Sequence, residues 1–189
     1  MILKTAYLPP VEYFSVLAKC SFCILDSGER YEKQSWRNRC RILTANGPMD
    51  LRFPIVHNGE YGIKDVLVDY STPWVRQTEY ALESAYMSSP FFEYYREDLF
   101  GIFDSHPRTL WELNGKLTGF CCSKIGINPP LCGSPVPEDE PAADIHPKHP
   151  SLYEPKPYWQ VFREKFGFVG NLSVIDLLFN EGPESICYL

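Results

Sequence analysis

Short apolar runs and alternating positions fill the first part of the chain, and they predict β-strands. Residues 2–8 and 22–25 are largely apolar, as in buried strands, whereas residues 63–70 mostly alternate between apolar and charged side chains. Between the first two runs, Pro9-Pro10 is followed by apolar residues at helical spacing. This spacing predicts a helix of about nine residues that ends at Lys19.

Residues 38–56 are predicted to form a β-hairpin, because Asn46-Gly47 at their centre is a strong signal for a type I′ turn. This turn places Arg41 opposite Arg52, with Arg39 two residues along on the same face. Arginines that face each other repel, so the pairing does not help the hairpin to fold. The other face is apolar and comprises Cys40, Ile42, Thr44, Met49, Leu51 and Phe53. The hairpin is therefore expected to combine a core-facing side with a cluster of positive charge.

Two interpretations of the arginine face remain open at this point. Arginines on a strand are commonly solvated and neutralised by nearby carboxylates, for which Asp50, Glu29 and Glu32 are candidates. Alternatively, the guanidinium groups form an anion site, since they bind phosphate and carboxylate with two parallel hydrogen bonds. Lys33 and Arg37 precede the hairpin and add to the positive charge.

The apolar spacing changes to the helical period at Thr72-Pro73, and a series of helices follows. In this pair, the threonine is predicted to cap the first helix and the proline to occupy its first position. Ser88-Ser89-Pro90 interrupts the apolar stripe and starts a second helix. A third helix is expected to begin at the capping box Thr109-x-x-Glu112 and to end at Gly126.

The last third of the chain begins with a proline-rich segment at about 128–157, which is predicted to be a long extended loop. A short amphipathic helix before Gly167 and a helix that starts near Ser173 follow it. The final helix is apolar almost all round, so it is expected to be buried. The whole pattern predicts one domain, residues 1–189, with an α/β or α+β fold: a mixed sheet of about five strands from the amino-terminal half, with helices from the carboxyl-terminal half packed on it.

Composition and charge exclude some classes of protein. The 189 residues carry a formal net charge of −6, which argues against a general nucleic-acid-binding protein. No apolar run is long enough for a membrane span, and the first ten residues lack the pattern of a signal peptide. The protein is therefore expected in the cytoplasm, where its cysteines stay reduced.

Neither the cysteines nor the histidines are expected to bind a metal. Cys20-x-x-Cys23 has a metal-ligand spacing, but a second pair is missing and the surrounding sequence is apolar, so buried thiols are favoured. His146-x-x-His149 could bind a metal, but each histidine precedes a proline and no third ligand is near in the sequence. No cofactor is expected.

Three segments, taken together and in this order, resemble the WbqC-like family: YLPPVEYF at 7–14, EKQSWRNR at 32–39 and LSVIDLLFN at 172–180. Typical members have His-Gln-Pro before the first segment, whereas this chain has Leu3-Lys4-Thr5. The resemblance implies work on activated sugars, because genes of this family occur in clusters for O-antigen and other surface polysaccharides. The positions that it carries over are Tyr13, Lys33, Asn38, Arg39, Ser173, Asp176 and Asn180.

Some of these positions also have purely structural explanations. Asn38 could fix the start of the strand through hydrogen bonds to the backbone, and Ser173 and Asp176 could simply cap a helix. Asp26, which follows a predicted strand, fits a turn as well as a catalytic role.

The leading hypothesis is a transferase that modifies a nucleotide-linked sugar, a small-molecule substrate with phosphate or carboxylate groups. Asp26 or His57 would be its general base. The anion or ligand contacts would come from Lys33, Asn38, Arg39, Arg41 and Arg52. The alternative is a non-catalytic binding or partner protein of the same pathway. A thiol-dependent acyltransferase or hydrolase is a third hypothesis, although Cys40 and Cys121 are expected on buried faces.

Overall fold

Three short parallel strands and one antiparallel hairpin make up the β-structure in the part of the chain that the computed structural model describes, residues 1–56, 59, 62–133, 139–151 and 153–189. The strands are β1 (Ile2–Leu3), β2 (Ile24–Asp26), β3 (Arg39–Thr44), β4 (Gly47–Arg52) and β5 (Leu131–Gly133). The helices are α1 (Val11–Lys19), α2 (Trp74–Tyr86), α3 (Phe92–Asp104), α4 (Leu110–Ile125), α5 (Arg163–Phe166) and α6 (Val174–Glu181). The mixed α/β class, with most strands near the amino terminus, is confirmed.

The strands form two sheets, so the prediction of one sheet is wrong in this detail. The first sheet has the order β1-β2-β5 with all strands parallel, and the second is the β3-β4 hairpin. The strand β5 comes from the proline-rich segment that was predicted to be a loop. With only three residues, β5 is too short to show a period, and it is defined by its pairing with β2.

The segment 63–70 is not a regular strand, contrary to the prediction. It begins with the 3-10 turn Ile63–Asp65 and continues with isolated bridges. The backbone of Val68 pairs with Ile55, whereas that of Leu67 pairs with Thr109. The segment is extended, but its hydrogen bonds go to different neighbours, so no ladder forms.

The hairpin turn lies one residue earlier than predicted. Thr44 pairs with Gly47, and the Thr44 hydroxyl accepts the N–H of Asn46 at 3.2 Å and donates to the Gly47 carbonyl at 2.8 Å. Gly47 has φ +103°, which favours glycine at this position. The register consequently shifts by two residues, so each side chain keeps its predicted face but changes its partner. Arg41 now faces Asp50 rather than another arginine.

Local capping signals predicted the ends of α4 correctly. The Thr109 hydroxyl accepts the N–H of Glu112 at 3.1 Å, and Gly126 ends the helix with φ +84°. The cap predicted for α2 is wrong, because this helix begins at Trp74 and Pro73 occupies the cap position without a side-chain hydrogen bond.

The helix α6 is buried along nearly its whole length, as predicted, and it carries a buried carboxylate. Asp176 accepts hydrogen bonds from Tyr86 at 2.8 Å, from Tyr158 at 2.7 Å and from Gln160 at 2.8 Å. Ser173 does not cap the helix through its side chain but donates to the carbonyl of Leu8 at 2.7 Å. These two polar residues therefore join α6 to other segments of the chain.

Among the residues described, no helix has the length and apolar character that crossing a membrane requires.

Candidate anion groove and a neighbouring cavity

Basic side chains from the hairpin and from the segment that precedes it line one groove. Arg39 and Arg52 are direct partners across β3 and β4, and Lys33 approaches from the preceding segment. The groove has a volume of about 420 Å³. Its lining residues are Tyr31, Lys33, Gln34, Asn38, Arg39 and Arg52. Four of the predicted ligand-binding residues therefore lie together around one open space.

In the part of the chain that the structure describes, one carboxylate, that of Asp50, pairs with three arginines on this face. Asp50 accepts a hydrogen bond from Arg41 Nε at 2.8 Å and lies 3.4 Å from Arg52 and 3.5 Å from Arg39. Burial acts to raise the pKa of Asp50, but the hydrogen bonds and charges of Arg41, Arg52 and Arg39 together outweigh burial, so the pKa lies below its usual value. Because three guanidinium groups share one carboxylate, positive charge is in excess among the described side chains of this face.

Of the three arginines that pair with Asp50, Arg39 is the least exposed. Its side chain is 13% exposed, it donates to the carbonyl of Gln34 at 2.7 Å, and its guanidinium lies 5.4 Å from the ring centre of Trp36. Burial lowers the pKa of Arg39. The charges of Arg52 and Arg41 also lower this pKa, whereas the charge of Asp50 raises it. Its Nε is buried and has no hydrogen-bond partner. A donor of this kind is suited to an anionic ligand.

Arg41 does not line the groove but lies beside it. Its guanidinium is 5.8 Å from the ring centre of Trp36, so Arg39 and Arg41 pack on the same aromatic side chain.

Asn38 has a structural role in addition to lining the groove. It donates to the carbonyl of Phe53 at 3.0 Å and accepts from the Tyr31 hydroxyl at 3.2 Å, which fixes the start of the hairpin.

Of the two predicted bases, Asp26 does not lie in the groove. Asp26 ends β2, and its carboxylate accepts the N–H of Gly28 at 2.9 Å, which is a turn arrangement. Asp26 is not among the residues that line the groove. His57 lies outside the described residues.

Sequence reasoning missed a second cavity, which also borders the segment 31–39. This cavity has a volume of about 70 Å³ and lies between the end of β1, the segment 31–39 and residues 143–149. The polar or aromatic side chains that line it belong to Lys4, Thr5, Tyr13, Glu32, Ser35, Trp36, Arg37, Asp144, His146 and His149. The sequence offered one signal, the pair His146-x-x-His149, but its spacing suggested only a metal site.

A buried ion pair supports one wall of the cavity. Arg37 donates to Glu29 through Nε at 3.1 Å and through a terminal nitrogen, and to Glu32 at 3.0 Å. Glu29 also accepts the N–H of Thr5 at 2.8 Å. Burial raises the pKa of Glu29 despite the opposing charge of Arg37. The carbonyl of Arg37 accepts a hydrogen bond from Asn114 at 2.8 Å, which ties this wall to α4.

The thiols of the hairpin and of α4 lie in the core. Cys40 and Cys121 are buried, and burial raises the pKa of both, so their reactive thiolate forms are disfavoured. Cys20 differs, because a hydrogen bond with Cys23 lowers its pKa.

In the described part of the chain, no group of three or more histidine, cysteine or acidic residues is arranged to hold a metal ion.

The geometry defines a mixed α/β protein with a cationic groove on a two-stranded hairpin. Residues 5–139 match the model of the WbqC-like protein family, and the chain therefore belongs to this family. It is also similar to the uncharacterized protein Rv1507c of Mycobacterium tuberculosis, with 31% identity over 136 residues. The alignment covers 70% of this chain but 58% of that relative, so the chain spans less than two thirds of the relative's length. No solved structure gives a significant match.

The matched range contains most of the residues discussed above. It includes Tyr13, the segment 31–39 and the hairpin, and it ends before His146, His149 and α6. The family resemblance is confirmed, while the roles of individual residues stay predictions.

Proposed function

We propose that this protein is a transferase that acts on a nucleotide-linked sugar in the biosynthesis of O-antigen or of another surface polysaccharide. The cationic groove binds the phosphates of the nucleotide. The observation that carries the proposal is the excess of arginines over carboxylates, since Asp50 is the one carboxylate among the described residues that pairs with Arg39, Arg41 and Arg52. A protein with a net charge of −6 concentrates positive charge here, which favours a specific anionic ligand.

The chemistry of the groove suits a diphosphate. Arginine forks match phosphate oxygens, Lys33 adds a mobile point charge, and the unpartnered Nε of Arg39 supplies a buried donor. Tyr31 and Gln34 add polar groups at the edge of the groove that suit the nucleoside. The general base is assigned to His57, which follows the hairpin in sequence, because Asp26 uses its carboxylate in a turn. The cytoplasm, where such substrates are made, is the proposed location.

A thermal-shift screen tests the ligand class. The panel contains nucleotide sugars, free nucleotides, acyl-CoA and aminoacyl donors. A ligand at 100 times its dissociation constant stabilises the folded protein by about 2.7 kcal/mol. At roughly 2–4 °C per kcal/mol, the expected rise in melting temperature with a nucleotide sugar is about 5–11 °C.

Variants connect the shift to the groove. Arg39→Ala is expected to remove most of the shift, whereas Arg96→Ala keeps it, because Arg96 pairs with Glu83 and Glu93 on the α2–α3 surface. A nucleotide sugar that stabilises Arg39→Ala as much as the native protein would contradict the proposed site. A flat screen on folded protein would contradict the enzyme and favour the non-catalytic partner protein.

A further inference from the structure

Two polar atoms in the cavity beside the groove lack hydrogen-bond partners. Tyr13 is 2% exposed, and its hydroxyl is buried without a partner. Nε2 of His146 is likewise buried and unpartnered, although it lies 3.5 Å from a carboxylate oxygen of Glu32. Buried polar groups in proteins are nearly always hydrogen-bonded, so two orphans in one cavity indicate a ligand site.

Both atoms act as donors. Nδ1 of His146 accepts the N–H of Lys148 at 3.2 Å, so the neutral ring carries its proton on Nε2. Burial lowers the pKa of His146, which favours this neutral form, and burial raises the pKa of Tyr13, which keeps its hydroxyl protonated. The cavity therefore offers two hydrogen-bond donors to oxygen atoms of a ligand.

The charges of the cavity favour a neutral ligand. The basic side chains in its lining, Lys4 and Arg37, are matched by two acidic ones, Glu32 and Asp144. Arg37 is already held by its ion pairs. An anion would thus gain little here, in contrast to the groove, where positive charge is in excess.

The size of the cavity limits what enters it. Its volume of about 70 Å³ is several times what one water molecule needs, about 10–15 Å³, but less than the roughly 150 Å³ of a cavity that holds a benzene ring. An edge of a sugar ring with one or two oxygen substituents fits these limits. Trp36 is an aromatic residue of the cavity lining, and the guanidinium groups of Arg39 and Arg41 pack near its ring.

We propose that this cavity binds the sugar edge of the nucleotide-linked substrate, with Tyr13 Oη and His146 Nε2 donating hydrogen bonds to its hydroxyl or carbonyl oxygens. The proposal rests on the proposed function, since the phosphates lie in the arginine groove and the sugar reaches across Trp36. His149, which Asp144 holds through Nδ1 at 2.7 Å, keeps the segment 143–149 at the mouth of the cavity. Tyr13 and His146 are thus specificity-determining residues for the sugar.

The test compares ligands with and without the sugar. Affinities for UDP-glucose, UDP-N-acetylglucosamine and UDP are measured calorimetrically for the native protein and for Tyr13→Phe, His146→Ala and the control Tyr94→Phe. Tyr94 is 76% exposed and lines neither the groove nor the cavity. Tyr13→Phe is expected to weaken binding of the preferred UDP-sugar about threefold to tenfold, as for one hydrogen bond, and to leave the affinity for UDP unchanged.

The outcomes separate this inference from the proposed function. If Tyr13→Phe and His146→Ala bind the UDP-sugars as the native protein does, the sugar site is wrong while the groove stands. Equal affinity of the native protein for UDP and for both UDP-sugars would also overturn the sugar site. If no UDP compound binds, the proposed function fails. In that case, saturation-transfer NMR with free glucose and N-acetylglucosamine tests the sugar site by itself. A sugar signal that the native protein gives and Tyr13→Phe loses supports the sugar site. If the native protein gives no sugar signal, the sugar site is overturned.

Discussion

Asp50 lies directly opposite Arg41 across the hairpin and accepts a hydrogen bond from its Nε at 2.8 Å. The two-residue difference from the predicted register creates this pair. The predicted register placed Arg41 opposite Arg52, whereas the observed register places the Asp50 carboxylate among the arginines. The arginine face is therefore a partly neutralised cluster, as the first interpretation of the sequence predicted. The anion site stays a prediction.

Replacing Asp50 with asparagine tests this balance. The arginines lose their shared carboxylate, so we expect Asp50→Asn to lower the free energy of unfolding by about 0.5–1.5 kcal/mol at pH 7. The folded-state pKa of Asp50 lies below its usual value, so its contribution exists above the ordinary pKa of about 3.9 and is lost as the pH falls. Urea unfolding at pH 7 and near pH 3 measures both effects. An unchanged gap between variant and native protein at the two pH values would contradict this account.

Asp176 should show the opposite dependence on pH. Burial raises its folded-state pKa more than the hydrogen bonds of Tyr158, Gln160 and Tyr86 lower it. A raised pKa means that the folded state binds the proton more tightly, so this contribution is full below about pH 3.9 and declines as the pH rises through the folded-state pKa.

We expect Asp176→Asn to destabilise the fold by about 1–3 kcal/mol, because its NH2 group replaces an oxygen that accepts hydrogen bonds. Both oxygens of the carboxyl group can accept in the protonated form as well, so the loss is present at low pH. The stability difference from the native protein should shrink as the pH rises from 4 to 7, measured by denaturant unfolding. Ser151→Ala serves as a surface control, with no such trend. A difference that grows with pH would show that the carboxylate is stabilised as an anion.

The buried pair of Arg37 and Glu29 gives a third prediction. Arg37→Met leaves the Glu29 carboxylate buried without its partner, and we expect a loss of about 3–5 kcal/mol. Combining it with Glu29→Gln removes the stranded charge and should restore part of the stability. Thermal unfolding of both variants measures this, and a double variant less stable than Arg37→Met would refute the explanation.

Signals carried by adjacent residues predicted much of this fold. The ends of α4 depend on Thr109 and Gly126, which act within one helical turn, and both were predicted. The buried face of the hairpin was mostly correct, because a shift by two residues leaves the alternation intact. The exceptions are Met49, which is exposed, and Leu43, which is buried although it was predicted on the arginine face. The register was not predictable, since the Thr44 hydroxyl and Gly47 select a different two-residue turn.

Features that depend on distant parts of the chain were not accessible from the sequence. The strand β5 is defined by its pairing with β2, more than 100 residues earlier. The cavity likewise brings Tyr13 together with His146, and no local pattern links these residues. Of the candidate site, the basic cluster could be predicted, because charge alternation is a local property, whereas the cavity that Tyr13 and His146 line could not.

Calorimetric titration of a nucleotide sugar into the double variant Arg39→Ala/Arg52→Ala tests the central claim most directly. The native protein and Arg96→Ala are predicted to bind with similar affinity and to bind more weakly at higher salt concentration. The double variant should bind at least about 100-fold more weakly, since each charged hydrogen bond contributes about 1.5–3 kcal/mol. Equal affinity of the double variant and the native protein would show that the hairpin arginines do not bind the substrate.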